Sequence, residues 1–183
     1  FDWVFLFGSP GKRDGANGAV SIFESVFVAG YSENNRGVIN GYLAKINLHD
    51  GKLKWEKSFE SMNKNKSTAF ESILITSDQG LILSGVTNSH NDSFEGFKSY
   101  GNPQSGETLV MYFDKASLIS DSPPKKPSWE IILKNSRSGI TIKEIIEDNS
   151  FAIATKTNNE EGIAKIIKIN NRGKILWSKK YPN

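Results

Sequence analysis

The chain has 183 residues, of which 37% are apolar and 23% charged, and a net charge of +3. That suits one ordinary soluble domain, and the basic residues cluster only as pairs such as Lys125-Lys126 and Lys179-Lys180, which does not demand nucleic acid. The absence of cysteine excludes disulfides, thiolate chemistry and cysteine-held metal, and no apolar run approaches membrane-spanning length.

The first element is Phe1–Gly8, where Trp3, Phe5 and Phe7 alternate with other residues. Period two marks one face of a β-strand. Segment 8–17, "GSPGKRDGAN", reads as a loop. A first four-strand unit covers 18–59: "SIF", the nearly all-apolar "VFVAGYS" (26–32), "GYLAKIN" (41–47), the turn "LHDGK", and a last strand alternating Trp55, Lys57 and Phe59. Asn, Asp and Gly supply the positive φ that tight turns require.

A second unit covers 69–134. It runs "AFESILI", "TSDQG", "LILSGVT" (81–87), "ETLVMYFD" (107–114) and a strand alternating Trp129, Ile131 and Leu133. Between the last two strands lies "SDSPPKKP", whose "SPPKKP" (122–127) reads as an extended, solvated linker. A third unit covers 139–181: "GITIKEII", "EDNS", "FAIATKT" (151–157), "GIAKIIKIN" (162–170), "NNRGK" and a strand alternating Trp177, Lys179 and Tyr181. Gly51 and Gly173 stand at the same distance before Trp55 and Trp177. Runs such as "LILSGVT" suit strands covered on both faces. Helical periodicity is not sustained anywhere.

Four-stranded units at this period are the mark of β-propeller blades. "AKINLHDGKLKWEKSF" and "IIKINNRGKILWSKKY" resemble the end of bacterial extracytoplasmic propeller repeats, and "VAGYS" resembles their second strand. More distantly, they look like quinoprotein-type repeats, in which a Gly and a Trp dock neighbouring blades. The second unit departs from the pattern by lacking the Gly before Trp129, and the third has Thr155-Lys156 where the first has Gly30-Tyr31. The resemblance implies an all-β fold of three propeller blades plus one extra outer strand at 1–8. It also implies an extracytoplasmic location, periplasmic or at the cell surface. Three blades do not close the usual ring. The expectation is therefore a cut from a longer array or self-association, with Trp3, Trp55, Trp129 and Trp177 equivalent and largely buried between blades.

In such a fold the loops sort onto two ends. One end receives 8–17, 33–40, 60–68, 88–106 and 135–139, which carry Lys12, Arg13, Arg36, Lys64, Lys66, Lys98 and Arg137. The longest of these loops, 88–106, holds Phe94, Phe97 and Tyr100. Exposed aromatics on a rigid scaffold stack on sugars or anchor a protein partner, while Lys64, Lys66 and Arg36 favour an anionic one. The plainer account is that the rings cap the blade and the lysines are solvated.

Asn91, Asp92, Asp148 and Asn47 through Asp50 carry oxygen ligands but lack the alternating spacing of a calcium loop, and turn chemistry explains them. His49 and His90 are far apart, and no Gly-x-Ser-x-Gly elbow occurs. Glu95 and Glu107 flank the long loop without a spacing that requires a carboxylate pair. No cofactor signature is present. The expectation is a non-catalytic binding or scaffolding module for a protein or glycan partner, with a polysaccharide-acting propeller enzyme as the alternative.

Overall fold

A computed structural model describes residues 3–62, 65–89, 106–136, 141–157 and 163–181. The chain is all-β, with three four-stranded antiparallel sheets, each a meander with its strands in chain order. The first blade is β1 (Asp14–Ile22), β2 (Ser25–Glu33), β3 (Ile39–Asn47) and β4 (Leu53–Phe59). The second is β5 (Ser67–Ile75), β6 (Leu81–Ser89), β7 (Glu107–Phe113) and β8 (Trp129–Leu133). The third is β9 (Thr141–Ile145), β10 (Ser150–Lys156), β11 (Ala164–Asn170) and β12 (Ile175–Tyr181). Among the described residues, no helix is long and apolar enough to cross a membrane.

The core lies between the blades. Phe27, Leu43, Trp55 and Phe59 of the first blade pack on Phe70, Leu81, Leu83, Leu109, Met111 and Phe113 of the second. The intervening residues Ile82, Val110 and Tyr112 face the other way, onto Ile142, Phe151, Ile153 and Ile167 of the third blade. Successive strand residues point to opposite faces, so a strand between two neighbours must be apolar at every position. That is why β6 and β7 read as continuous apolar runs.

Close backbone approach shapes the pairing of the first two strands in blades one and two. A Cβ on Gly30 would lie 1.9 Å from the Gly15 carbonyl oxygen, and one on Gly85 would lie 2.0 Å from that of Ala69. Both glycines pair beside a register shift, Ala16/Gly18 in the first blade and Phe70/Ser72 in the second. Asn17, the bulged residue, donates its side-chain amide to the Phe70 carbonyl at 2.7 Å, which ties one bulge to the next blade. Gly30→Ala is expected to cost about 1–3 kcal/mol through this overlap. A denaturant midpoint equal to wild type would show that the strands part freely there.

Trp55, Trp129 and Trp177 recur on the last strand of each sheet. Trp55 pairs with Lys45 and Trp177 with Lys168, each next to a register shift in the ladder. Trp129 pairs with Tyr112. The Trp3 indole N–H donates to the Leu48 carbonyl at 2.8 Å, Trp55 to Ser120 at 3.3 Å, and Trp129 to Asn171 at 2.9 Å. All three acceptors lie in the connection between the last two strands of the blade being covered. Where that connection is a tight turn, a left-handed glycine sits beneath the ring: Gly51 at φ 67° under Trp3, and Gly173 at φ 76° under Trp129. A Cβ at either position would come within 2.8 Å of the indole, so glycine meets two demands at once, the turn and the ring.

Four sequence-based expectations change. Residues 3–8 keep the alternation, with Val4 and Leu6 exposed and Phe7 stacked on Tyr42 at 5.0 Å, but they join no ladder among the described residues. A strand needs a hydrogen-bonding neighbour, and side-chain packing on blade one does not supply one. Residues 14–17 belong to β1 rather than to a loop, because Asp14, Gly15 and Ala16 pair with Ser32, Tyr31 and Gly30. Trp177 is 45% exposed, since among the described residues no blade connection lies over it.

The fourth change concerns the connection that holds the 122–127 linker, in which Pro124 is buried rather than solvated. It forms a one-turn helix α1 (Lys115–Ile119), capped by the Asp114 carboxylate accepting from the Ser117 N–H at 2.8 Å. The buried Lys45 ammonium donates to the carbonyls of Leu118, Ile119 and Ser120 at 2.7, 3.2 and 2.9 Å. Lys57 donates to the carbonyls of Pro124 and Lys125. The proline segment is therefore clamped by donors from the preceding blade.

Candidate functional site

Among the described residues, several of the connections expected at one end are tied to one another. The Ile39 N–H at the start of β3 donates to Ser67 Oγ at 3.3 Å, which places the 34–38 connection beside the start of β5. Ser61 Oγ donates to Asn88 Oδ1, and Asn88 Nδ2 donates to Glu107 Oε2, both at 2.7 Å. Ser61 and the two strand ends at Asn88 and Glu107 are thus fastened together. Thr68 and Thr87 share a buried hydroxyl contact at 2.9 Å, as do Thr108 and Thr155 of blades two and three. Buried polar groups need such partners, which these threonines supply to one another, whereas among the described residues of the same rim the buried Asn40 Oδ1 has none.

The best-built part of this end carries Arg36. Asn34 accepts from the backbone N–H of Arg36 at 2.9 Å and of Val38 at 3.1 Å through one side-chain oxygen, and Gly37 turns at φ 76°. Asn suits this because its side chain mimics a backbone acceptor. Arg13 Nε donates to Glu33 Oε2 at 2.7 Å, and its terminal nitrogen donates to the Gly37 carbonyl at 3.0 Å. Asp14 accepts from the backbone N–H of Ser9 at 2.9 Å and of Glu33 at 3.1 Å. Lys12 bonds to Asn35. Arg13 and Lys12 are thus occupied in the frame, while the Arg36 side chain is exposed on the turn they hold.

The Arg13 guanidinium holds Glu33 below its ordinary carboxylate value. Burial opposes ionisation of Asp14, but the donors from Ser9, Ser32 and Glu33 outweigh it and hold that group low as well. Each group therefore titrates lower folded than unfolded. The stability they contribute is complete above the unfolded values, about 4, and is lost as the pH falls through the folded ones. An NMR acid titration should show the Ser9 and Glu33 amide signals moving together below about pH 4. Amides that stay still until global unfolding would contradict this frame.

Of the residues singled out from the sequence, Phe94, Phe97, Tyr100 and Lys64 lie outside the described residues, as do Lys98 and Arg137. Arg36 and Lys66 are on the loop end, with half-buried Lys66 immediately before the Ser67 that receives Ile39. The frame residues Asp14 and Glu33 were not among the candidates. The signal that would have found them is the alternation of "DGA" against "YSE" once that segment is taken as a strand.

Glu107 is engaged by Asn88, while Glu95 and His90 lie outside the described residues. His49 sits at the opposite end of the blade, 3.9 Å from Glu24, with both side chains exposed. The Asn47–Asp50 cluster is turn chemistry: Asn47 accepts from the His49 N–H at 2.8 Å, and the matching Asn170 accepts from that of Arg172 at 3.0 Å. Asp148 pairs with Lys168 and accepts from Ser150 Oγ. Among the described residues, no group of three or more potential metal ligands gathers. An open cleft between blades two and three is lined by residues that include Ile132, Leu133, Lys134, Lys165 and Ile167, with no carboxylate among the described residues that line it. No protein-family model and no curated protein matches the chain.

Proposed function

We propose that this chain is a non-catalytic binding or scaffolding module that engages a protein or glycan partner through its loop end. The observation that carries the reading is the Arg13–Glu33–Asp14 frame, which presents the exposed Arg36 on a turn pinned by Asn34. A pre-ordered polar group loses little entropy on binding. Arginine suits carboxylate, sulfate or phosphate groups because its donors form a planar fork. Lys66 adds a second cation at the same end, and the composition of 88–106 offers the aromatic rings of Phe94, Phe97 and Tyr100 for stacking. An anionic or sugar-rich partner fits this set better than an apolar small molecule. An extracytoplasmic location rests on the resemblance of the Trp-bearing strands alone.

The test pairs binding with stability. Arg36→Ala with Lys66→Ala, and separately Ala at Phe94, Phe97 and Tyr100, are screened against a panel of neutral and anionic oligosaccharides. Expected is at least about a tenfold loss of affinity, since a charge-assisted hydrogen bond contributes roughly 1.5–3 kcal/mol, with unchanged melting. Lost stability with unchanged binding would assign these residues to capping the blade and end the proposal.

A further inference from the structure

The blade connections are held in two different ways. Trp3 and Trp129 cover glycine turns, and the residues two positions on are Phe5 and Ile131, both apolar. Trp55 instead covers the helix–proline connection 115–128, and two lysines work beside it. Lys45, its cross-strand partner, takes three carbonyls at the C-terminal end of α1, and Lys57, two positions on, takes two around Pro124. The donor set thus matches the acceptor: a turn takes an indole alone, whereas a chain segment with several unpaired carbonyls takes an indole and two ammonium groups.

The third blade repeats the second kind. Lys168 is the cross-strand partner of Trp177, beside the same register shift. Lys179 stands two positions on, with its Nζ 5.3 Å from the Tyr181 ring centre, as Lys57 lies 5.2 Å from that of Phe59. Cross-strand and alternate positions share one sheet face, so Trp177, Lys168 and Lys179 form one comb. In blade one Trp55 and Lys45 of the equivalent comb are buried and Lys57 is half-buried, whereas here Trp177 is 45% and Tyr181 41% exposed. Lys168 pairs with Asp148, and an ammonium has further protons to donate.

We propose that this face docks a further four-stranded blade whose last two strands are joined by a helix–proline connection rather than a glycine turn. The partner is recognised by unpaired carbonyls at the end of a one-turn helix and around a proline, where no backbone donor competes. A second copy of this chain does not fit, because its connection of this kind, 115–128, is already held by its own Trp55, Lys45 and Lys57. The inference is independent of the loop-end reading, since it concerns the broad face of the third blade.

The test extends the full chain past residue 183, through a flexible linker, with a second copy of residues 65–134. A parallel extension carries a copy of 139–181, whose connection is a glycine turn. The readout is solvent exchange of the Trp177 indole N–H, assigned by its loss in Trp177→Phe. Expected is slowing of about tenfold or more with the helix–proline blade, little with the glycine-turn blade, and reversal by Lys168→Met with Lys179→Met. Unchanged exchange of the β10 and β11 amides shows that these variants fold. Equal protection by both blades, protection by neither, or indifference to the lysines overturns the proposal. So does concentration-dependent protection in the unextended chain, which would identify a second copy as the occupant.

Discussion

Truncating Trp55 to Ala is expected to cost about 3–5 kcal/mol, whereas the same change at Trp177 should fall within about 0.5 kcal/mol. The sequence context of the two residues is nearly the same, and so is their ladder position. What differs is what lies over the ring. Trp55 is 5% exposed, edge-on to Phe27 at 5.9 Å, and bonded to Ser120 of the next blade. Its removal opens a void between two blades, which the stiff sheets fill poorly. Trp177 is half in solvent, so its removal takes away little packing. Denaturant unfolding of both variants separates the cases, and equal losses would mean that Trp177 is buried in solution by something absent from an isolated chain.

Lys45→Met is expected to cost about 2–3 kcal/mol, the next largest effect. Methionine keeps the stem that packs near Phe27 but leaves three carbonyls of Leu118, Ile119 and Ser120 without their donor. Those carbonyls lie at the end of a helix too short to satisfy them internally. Burial, with Lys54 acting in the same sense, pushes the Lys45 ammonium toward neutrality, so the three carbonyls are the partners its buried donors have. The loss should be local first: amides of α1 exchange faster in the variant, while those of β9–β11 are unchanged. A melt equal to wild type, with α1 protection intact, would show that Trp55 and Lys57 hold the connection alone.

These two residues also mark how far sequence reading reaches. Trp55 was legible because alternation with Lys57 and Phe59 and a glycine turn before it repeat around Trp177. Lys45 was not, because "AKIN" recurs with slight change as "IKIN", and nothing in either string tells a buried clamp from a solvated lysine. The β1–β2 turn was equally silent. It uses Phe23 and Glu24, both at positive φ, and neither is a residue that announces such a turn. Arg36 lies in the β2–β3 connection and Lys66 just before β5, where counting strands puts them. The Asp14–Glu33 frame that orders Arg36 depends on where β1 begins, and glycine-rich "DGAN" disguised a strand as a loop.

Local spacing by itself determined the blades, their strand order, the turns at Gly51 and Gly173, and the double-sided burial of β6. Each of these follows from period-two alternation and from backbone angles that few residues adopt, both of which are written in neighbouring positions. Tertiary structure alone decided which tryptophans are covered, what Lys45 and Lys57 hold, and that residues 3–8 pack on blade one without joining a sheet. Those outcomes depend on which carbonyls and faces arrive from more than forty positions away. A lysine or an indole carries the same donors in the sequence whether or not an acceptor comes to meet it.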